Sequence, residues 1–102
     1  PWCFVSGTTG YDYARMTMPA GALDQARAAL ATTAAALEEA GFSMADVVRV
    51  QYTVTDAALA AEIAPALREA FADVRPAATM VVAGLLAPEM KVEIEVTALR
   101  AG

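Results

Sequence analysis

The chain has 102 residues, and seven Lys and Arg against twelve Asp and Glu give it a formal net charge of −5. Nucleic-acid binding requires a concentrated basic surface, so this acidic balance argues against a nucleic-acid partner. No apolar stretch reaches the ~20 residues that cross a bilayer, which argues against a membrane partner. We expect a single domain over residues 1–102 and, since no signal peptide is visible, a cytoplasmic location.

The residue inventory also limits metal and redox chemistry. The chain has one cysteine, Cys3, and no His, so it has neither an intrachain disulfide nor a Cys/His metal set. We therefore expect no metal and no cofactor. Hydrophobic residues make up 58% of the chain. This is more than a small domain readily buries, and the excess predicts self-association.

The first half of the chain is predicted to form a strand, a loop and a helix. Residues 2–7 are rich in β-forming side chains and end at Gly7, which predicts a strand. Residues 8–18 are irregular and contain Tyr11 and Tyr13. From residue 22 to residue 40 apolar positions recur every three or four residues, which predicts a helix that Gly41 ends.

The second half is predicted to add three strands and a helix. Residues 47–55 alternate, with Val48, Val50, Tyr52 and Val54 on the inner face of a half-buried strand. Residues 57–72 predict a helix in which Pro65 marks a kink or the first turn. The apolar run 78–86 and the alternating run 91–99 predict strands that pair as a hairpin. The order β-α-β-α-β-β predicts an α+β domain with two helices on one face of a sheet.

Four segments together resemble a known family. They are Phe4-Val5-Ser6-Gly7, the sequence MADVVRV at 44–50, Arg75-Pro76-Ala77, and KVEIEV at 91–96. In this order and spacing, the chain resembles the YjgF/RidA family, also described as endoribonuclease L-PSP, over essentially its whole length. The family normally has one more strand ahead of FVSG, so we expect a first strand to be missing ahead of residue 1.

The resemblance implies a chorismate-mutase-like α+β fold, with two helices on one face of a mixed β-sheet. It also implies a homotrimer in which three sheets form a barrel and ligand clefts lie between subunits. Family members with deaminase activity hydrolyse enamine or imine intermediates to 2-keto acids and ammonia. The implied partners are therefore further copies of this chain and a small molecule.

The resemblance also assigns candidate site residues. Glu93 matches the catalytic Glu that holds or activates the attacking water. Ser6 and Gly7 match the strand end that contacts ligand in the family. The other candidate ligand contacts are Thr8, Tyr11, Tyr13, Ala78 and Thr79, although Thr8 stands where the family commonly has Gln and the tyrosine loop differs from the family's loop. Two alternatives stay open: Glu93 and Glu95 could belong to a solvated strand face, and the tyrosines could pack at a subunit edge.

Several positions depart from the family pattern, and the one with the largest expected effect is position 78. The carboxylate-binding Arg of the family follows the Pro-Ala pair, and Ala78 stands there. Losing a buried Arg–carboxylate pair should weaken binding by roughly 2–5 kcal/mol, or roughly 30- to several-thousand-fold. Arg75 is expected to be a poor substitute because three residues of extended strand span ~10 Å and end on the opposite face.

Three functions remain open at this stage. The first is an enzyme acting through Glu93 on an imine, enamine or enol-type metabolite, but not an efficient 2-imino acid deaminase. The second is a non-catalytic binding or regulatory trimer. The third, a ribonuclease or translation inhibitor, is disfavoured by the acidic charge and the absence of His.

Overall fold

A computed structural model describes residues 1–101 as a four-stranded sheet covered on one face by two α-helices. A short 3₁₀ turn precedes the second strand. In chain order the elements are β1 (Trp2–Thr8), α1 (Ala22–Glu39), the 3₁₀ turn (Met44–Asp46), β2 (Val47–Val54), α2 (Leu59–Phe71), β3 (Ala77–Val82) and β4 (Val92–Leu99).

The strands lie in the order β1-β4-β2-β3, with β2 and β3 parallel and the other two pairs antiparallel. The mixed sheet confirms the predicted α+β class. The predicted hairpin of the last two strands is wrong, because β4 lies between β1 and β2 while β3 pairs with β2. The predicted strand 78–86 also ends early, at Val82. The alternating residues of β4 explain its central place, since Val92, Ile94, Val96 and Ala98 all face the core.

The core lies between the helices and the sheet. Small residues on α1, including Ala22, Ala26 and Ala29, are fully buried and let this helix approach the strands closely. On α2, Ile63 and Ala66 are buried on either side of Pro65. The helix continues through the proline because this burial offsets the roughly 3 kcal/mol that an interior proline costs.

The strand β2 departs from the predicted alternation at its start. Val50, Tyr52 and Val54 are buried as predicted, but Val47 takes the first inward position and Val48 is 40% exposed. The pairing of β2 with β4 shifts register between Val47 and Arg49, and this irregularity reverses the face of the preceding residues.

The second face of the sheet is open. Trp2 and Phe4 stack there with ring centroids 6.2 Å apart and are 58% and 75% exposed. All six residues of β3 are exposed, although the strand is almost entirely apolar. Within residues 1–101, no helix is long and apolar enough to cross a membrane.

Candidate functional site

A cleft of about 300 Å³ lies where β1 ends against β4. We call it the Glu93 cleft. It brings together five of the predicted site residues, namely Gly7, Thr8, Tyr11, Tyr13 and Glu93. Thr9, Thr32, Leu86 and Met90 complete its wall. The ligand contacts of these residues stay a prediction, but their proximity is a property of the fold.

The carboxyl group of Glu93 lies directly over the backbone of Gly7. A Cβ atom at position 7 would overlap the Glu93 carboxyl group, so only glycine leaves room for it. A register shift in β1 between Val5 and Thr8 places the glycine there. Among residues 1–101, no cation lies within ion-pair distance of Glu93. The half-buried carboxylate is therefore free to accept a proton or hold a water molecule.

The two tyrosines of the cleft come from the loop after β1. Their rings meet edge to face, with centroids 4.7 Å apart and an interplanar angle of 64°. Asp12, between them, accepts hydrogen bonds at Oδ1 from the backbone N–H groups of Ala14 and Arg15. Its backbone also pairs with Thr17, so Asp12 holds the loop in shape.

Gln25 is a structural residue of the cleft that sequence reasoning missed. Its side chain is completely buried on α1. Its Nε2 donates to the carbonyl oxygens of Pro19 at 2.8 Å and Glu89 at 2.9 Å, and its Oε1 accepts from the N–H of Lys91 at 2.9 Å. Gln25 thus fastens both loops that border the cleft to one helix. The sequence signal that could have indicated this role is a polar amide among the core-facing alanines of α1.

Gly10 allows the tyrosine loop to approach α1. A Cβ atom there would lie 2.7 Å from the Cα atom of Gln25, closer than real Cβ atoms come. The glycine and the amide therefore act together at the root of the loop. This contact sets where the two tyrosines enter the cleft.

Three predicted site residues lie outside the Glu93 cleft. Ser6 borders a shallower depression that also includes Phe4, Glu95 and Thr97. Thr79 pairs with Gln51 on the sheet. Ala78 lines a separate hollow of about 290 Å³ between β3 and the end of α2. Within one chain, position 78 and Glu93 therefore line different pockets.

We call this second site the Ala78 hollow. Its floor and sides are largely apolar, and its polar groups are those of Tyr52, Arg68 and Arg75. Burial raises the pKa of Tyr52 from its ordinary value of 10 to about 12. The floor includes Leu67, Phe71, Ala72 and Pro76.

The expectation that Arg75 lies on the face opposite Ala78 was wrong. Arg75 has φ = 52°, in the left-handed region, so the extended strand begins only after it, at Ala77. The chain turns at Arg75, and the side chain lines the same hollow as Ala78. Its Nε reaches toward the carbonyl oxygen of Ala72 at 3.5 Å, near the end of α2.

Metal ligation is not a feature of the described part of the chain. Within residues 1–101, no three side chains of His, Cys, Asp or Glu converge on a point that could hold a metal ion. The polar chemistry available in the two sites is that of one carboxylate, phenol and hydroxyl groups, and two guanidinium groups.

Comparison with known proteins identifies the family. Residues 1–100 match the family model described as Endoribonuclease L-PSP, so the chain belongs to this family, the YjgF/RidA family. This confirms the resemblance drawn from the four sequence segments. A search of curated proteins finds no match for the chain.

Solved structures of the family share the fold. Rv2704 from Mycobacterium tuberculosis, of the YjgF/YER057c/UK114 family, is 37% identical, covering 96% of this chain and 78% of that chain, with a TM-score of 0.86. RidA from a Psychrobacter species is 28% identical, covering 95% and 79%, with a TM-score of 0.88. Escherichia coli TdcF with bound serine is 27% identical, covering 98% and 81%, with a TM-score of 0.86. These matches confirm the predicted YjgF-like fold.

Proposed function

We propose that this RidA-like protein is a homotrimer that binds a small metabolite between subunits and acts through Glu93 on an imine, enamine or enol-type substrate. The observation that carries the proposal is the unpaired Glu93 carboxylate over Gly7, in a cleft walled by two tyrosines. A carboxylate in such a place is suited to general acid–base chemistry on a bound water molecule.

For an imine, the reaction has two steps. Glu93 takes a proton from water while the water oxygen adds to the carbon of the C=N bond, and it passes this proton to the nitrogen, which gives a carbinolamine. Glu93 then takes the hydroxyl proton of the carbinolamine and gives it to the nitrogen as the C–N bond breaks. The products are a carbonyl compound and ammonia. The carboxylate is regenerated, so no other co-reactant is needed.

The subunit arrangement is supported by unpartnered apolar surface. In the described part of the chain β3 pairs with β2 alone, and Met80, Val81 and Val82 are 37%, 37% and 57% exposed. An exposed apolar edge strand is prone to pair or pack with another chain. Leu86, in the loop after β3, is 98% exposed at the wall of the Glu93 cleft. A second copy would cover both features.

The substrate preference follows from position 78. Ala78 provides no guanidinium where the family pattern has one, so we propose that the protein is not an efficient 2-imino acid deaminase. The relative TdcF was solved with bound serine, which supports a ligand of amino-acid size in this fold. The same alanine favours a second candidate function, a non-catalytic trimer that binds a ligand for regulation.

The test is a substitution at Glu93 assayed against a panel of imine and enamine substrates that includes 2-iminobutanoate. Glu93→Gln should lower turnover by about 100-fold or more, because it removes the proton-transfer group. Glu95→Gln is the matched control, since Glu95 lies on the same strand but outside the cleft. Equal turnover by the wild type and Glu93→Gln would contradict the catalytic proposal. A wild type without any acceleration would favour the binding protein.

A further inference from the structure

The Glu93 cleft carries a single charged group, and that group is negative. Of the charged residues in the described range 1–101, Glu93 alone lines the cleft. Lys91, two positions earlier in the chain, lies outside the lining and forms no ion pair with Glu93. A half-buried carboxylate attracts cations more strongly than one in bulk water, because the surroundings are less polar. The charge of the cleft therefore favours a positively charged ligand.

The wall of the cleft adds two aromatic rings that act in the same direction. Tyr11 and Tyr13 both line the cleft, in the loop whose sequence departs from the family pattern. The face of an aromatic ring carries a partial negative charge, and it attracts a cation that lies within about 6 Å of the ring centroid. Proteins recognise ammonium ligands with aromatic walls of this kind.

The tyrosine loop is held in place by contacts within the chain. The two rings meet edge to face, and the hydroxyl of Tyr11 donates to the Sδ atom of Met16 at 3.9 Å. Arg15, the cation of this loop, has its Nε atom 3.9 Å from Oδ2 of Asp12 and does not line the cleft. The rings of Tyr11 and Tyr13 are therefore positioned in advance, which lowers the entropy cost of binding.

The remaining wall is suited to a small ligand with an apolar body. Leu86 and Met90 provide aliphatic and thioether surface. The hydroxyl groups of Thr8, Thr9 and Thr32 can accept hydrogen bonds from N–H groups. Small-molecule sites typically combine a mostly apolar wall with a few polar groups in a volume upward of ~300 Å³. The cleft, at about 300 Å³, has the lower limit of that size.

We infer that the Glu93 cleft binds a small organic cation, namely a protonated amine or iminium nitrogen on an apolar body. The nitrogen donates to the Glu93 carboxylate and lies against the rings of Tyr11 and Tyr13. The apolar body lies against Leu86 and Met90. The inference deepens the proposed function and rests on it in taking this cleft as the ligand site. It narrows the substrate to nitrogen compounds and excludes enols, which carry no cationic nitrogen.

Two competing explanations make different predictions. The formal net charge of −5 attracts any cation to the protein surface. That attraction predicts equal effects from removing any exposed acid, and no dependence on aromatic rings. Alternatively, Tyr11 and Tyr13 only pack at a subunit edge. That role predicts variants with an altered mass in solution and an unchanged ligand affinity.

The experiment is a calorimetric titration of the protein with cyclohexylmethylamine, which is a cation at neutral pH, and with its neutral isostere cyclohexylmethanol. We expect the amine to bind, and the alcohol to bind at least about tenfold more weakly, the effect of one charge-assisted hydrogen bond. Glu93→Gln should weaken amine binding by about tenfold or more for the same reason.

Paired substitutions test the aromatic contribution. Tyr11→Leu combined with Tyr13→Leu should weaken amine binding by about tenfold, because both ring faces are lost. Tyr11→Phe combined with Tyr13→Phe keeps the ring faces, and its affinity should stay within about threefold of the wild type. Tyr13 is 77% exposed, so Tyr13→Leu alone gives the same comparison if the double Leu variant does not fold.

Glu95→Gln is the matched control, since Glu95 lies on the same strand but outside the cleft, and amine affinity should not change. Equal affinity for the amine and the alcohol would overturn the inference, as would the absence of amine binding. An equal loss in Glu95→Gln and Glu93→Gln would also overturn it, as would unchanged affinity in the leucine variants.

The titrations separate this inference from the proposed function, because they do not depend on turnover. Amine binding that requires Glu93 and the tyrosines, in a protein without turnover, would reject the catalysis and keep the cation site. Turnover that requires Glu93, in a protein that binds the amine and the alcohol equally, would keep the catalysis and overturn the cation site.

Discussion

The Glu93 cleft and the Ala78 hollow carry opposite charges and lie in different parts of one chain. In the cleft, the Glu93 carboxylate lies over the backbone of Gly7, and Gln25 holds the two bordering loops by hydrogen bonds. The hollow holds two arginines at the end of a helix, over an apolar floor. Acid–base chemistry on an anionic substrate would need both kinds of group. This separation is one reason for our proposal that the complete site forms between two copies of the chain.

The largest effect is expected from restoring the arginine of the family pattern at position 78. Ala78→Arg should raise the efficiency of 2-iminobutanoate hydrolysis by roughly 30- to several-thousand-fold, the reverse of the roughly 2–5 kcal/mol lost with a buried Arg–carboxylate pair. Steady-state kinetics measure the change. Ala35→Arg, on an exposed position of α1, adds the same charge elsewhere and should change nothing. High activity in the unmodified protein would show that position 78 does not limit the reaction.

On the cleft side, a single methyl group should displace the acid. Gly7→Ala places a Cβ atom where the Glu93 carboxyl group lies, so we expect a loss of turnover of about 100-fold, comparable with losing the proton-transfer group. The control is Gly21→Ala, because no atom lies within 4 Å of a Cβ at that position. Unchanged turnover in Gly7→Ala would mean that the carboxyl position in the cleft does not matter for the chemistry.

A smaller effect is expected at Gln25, which holds the loops of the cleft, and it should appear in stability. Gln25→Leu removes three hydrogen bonds that join α1 to both loops, and buried partners left unsatisfied should lower the free energy of unfolding by about 2–4 kcal/mol. Urea denaturation measures it. Thr33→Val, also buried on α1, removes a hydroxyl that has no partner and should be neutral or stabilising by about 1 kcal/mol. Equal destabilisation by both variants would contradict a specific contribution of the Gln25 hydrogen bonds to stability.

Local pattern predicted the helices and the four strands, because periodicity follows directly from which face is buried. The pairing of β4 between β1 and β2 was not predictable in this way, since strand order depends on tertiary packing. The position of Arg75 was also missed, because a left-handed residue before a proline breaks the alternation that the argument assumed.

In the candidate site too, some residues could be predicted from the sequence and others depend on tertiary packing. The resemblance singled out Glu93 and Gly7, the loop sequence suggested the tyrosines, and the fold brings these residues to one cleft with Thr8. Gln25 lacked a sequence signal strong enough to separate a loop-fastening amide from an ordinary helix residue. Tyr52 looked like one more inward residue of an alternating strand. Its place at the hollow depends on where α2 ends.

The central claim is that the complete site lies between copies of this chain. Light scattering coupled to size-exclusion chromatography measures the mass in solution most directly. The account predicts a species three times the mass of the 10.6 kDa chain. A monodisperse species with the mass of one chain, at the concentrations at which turnover is assayed, would contradict it.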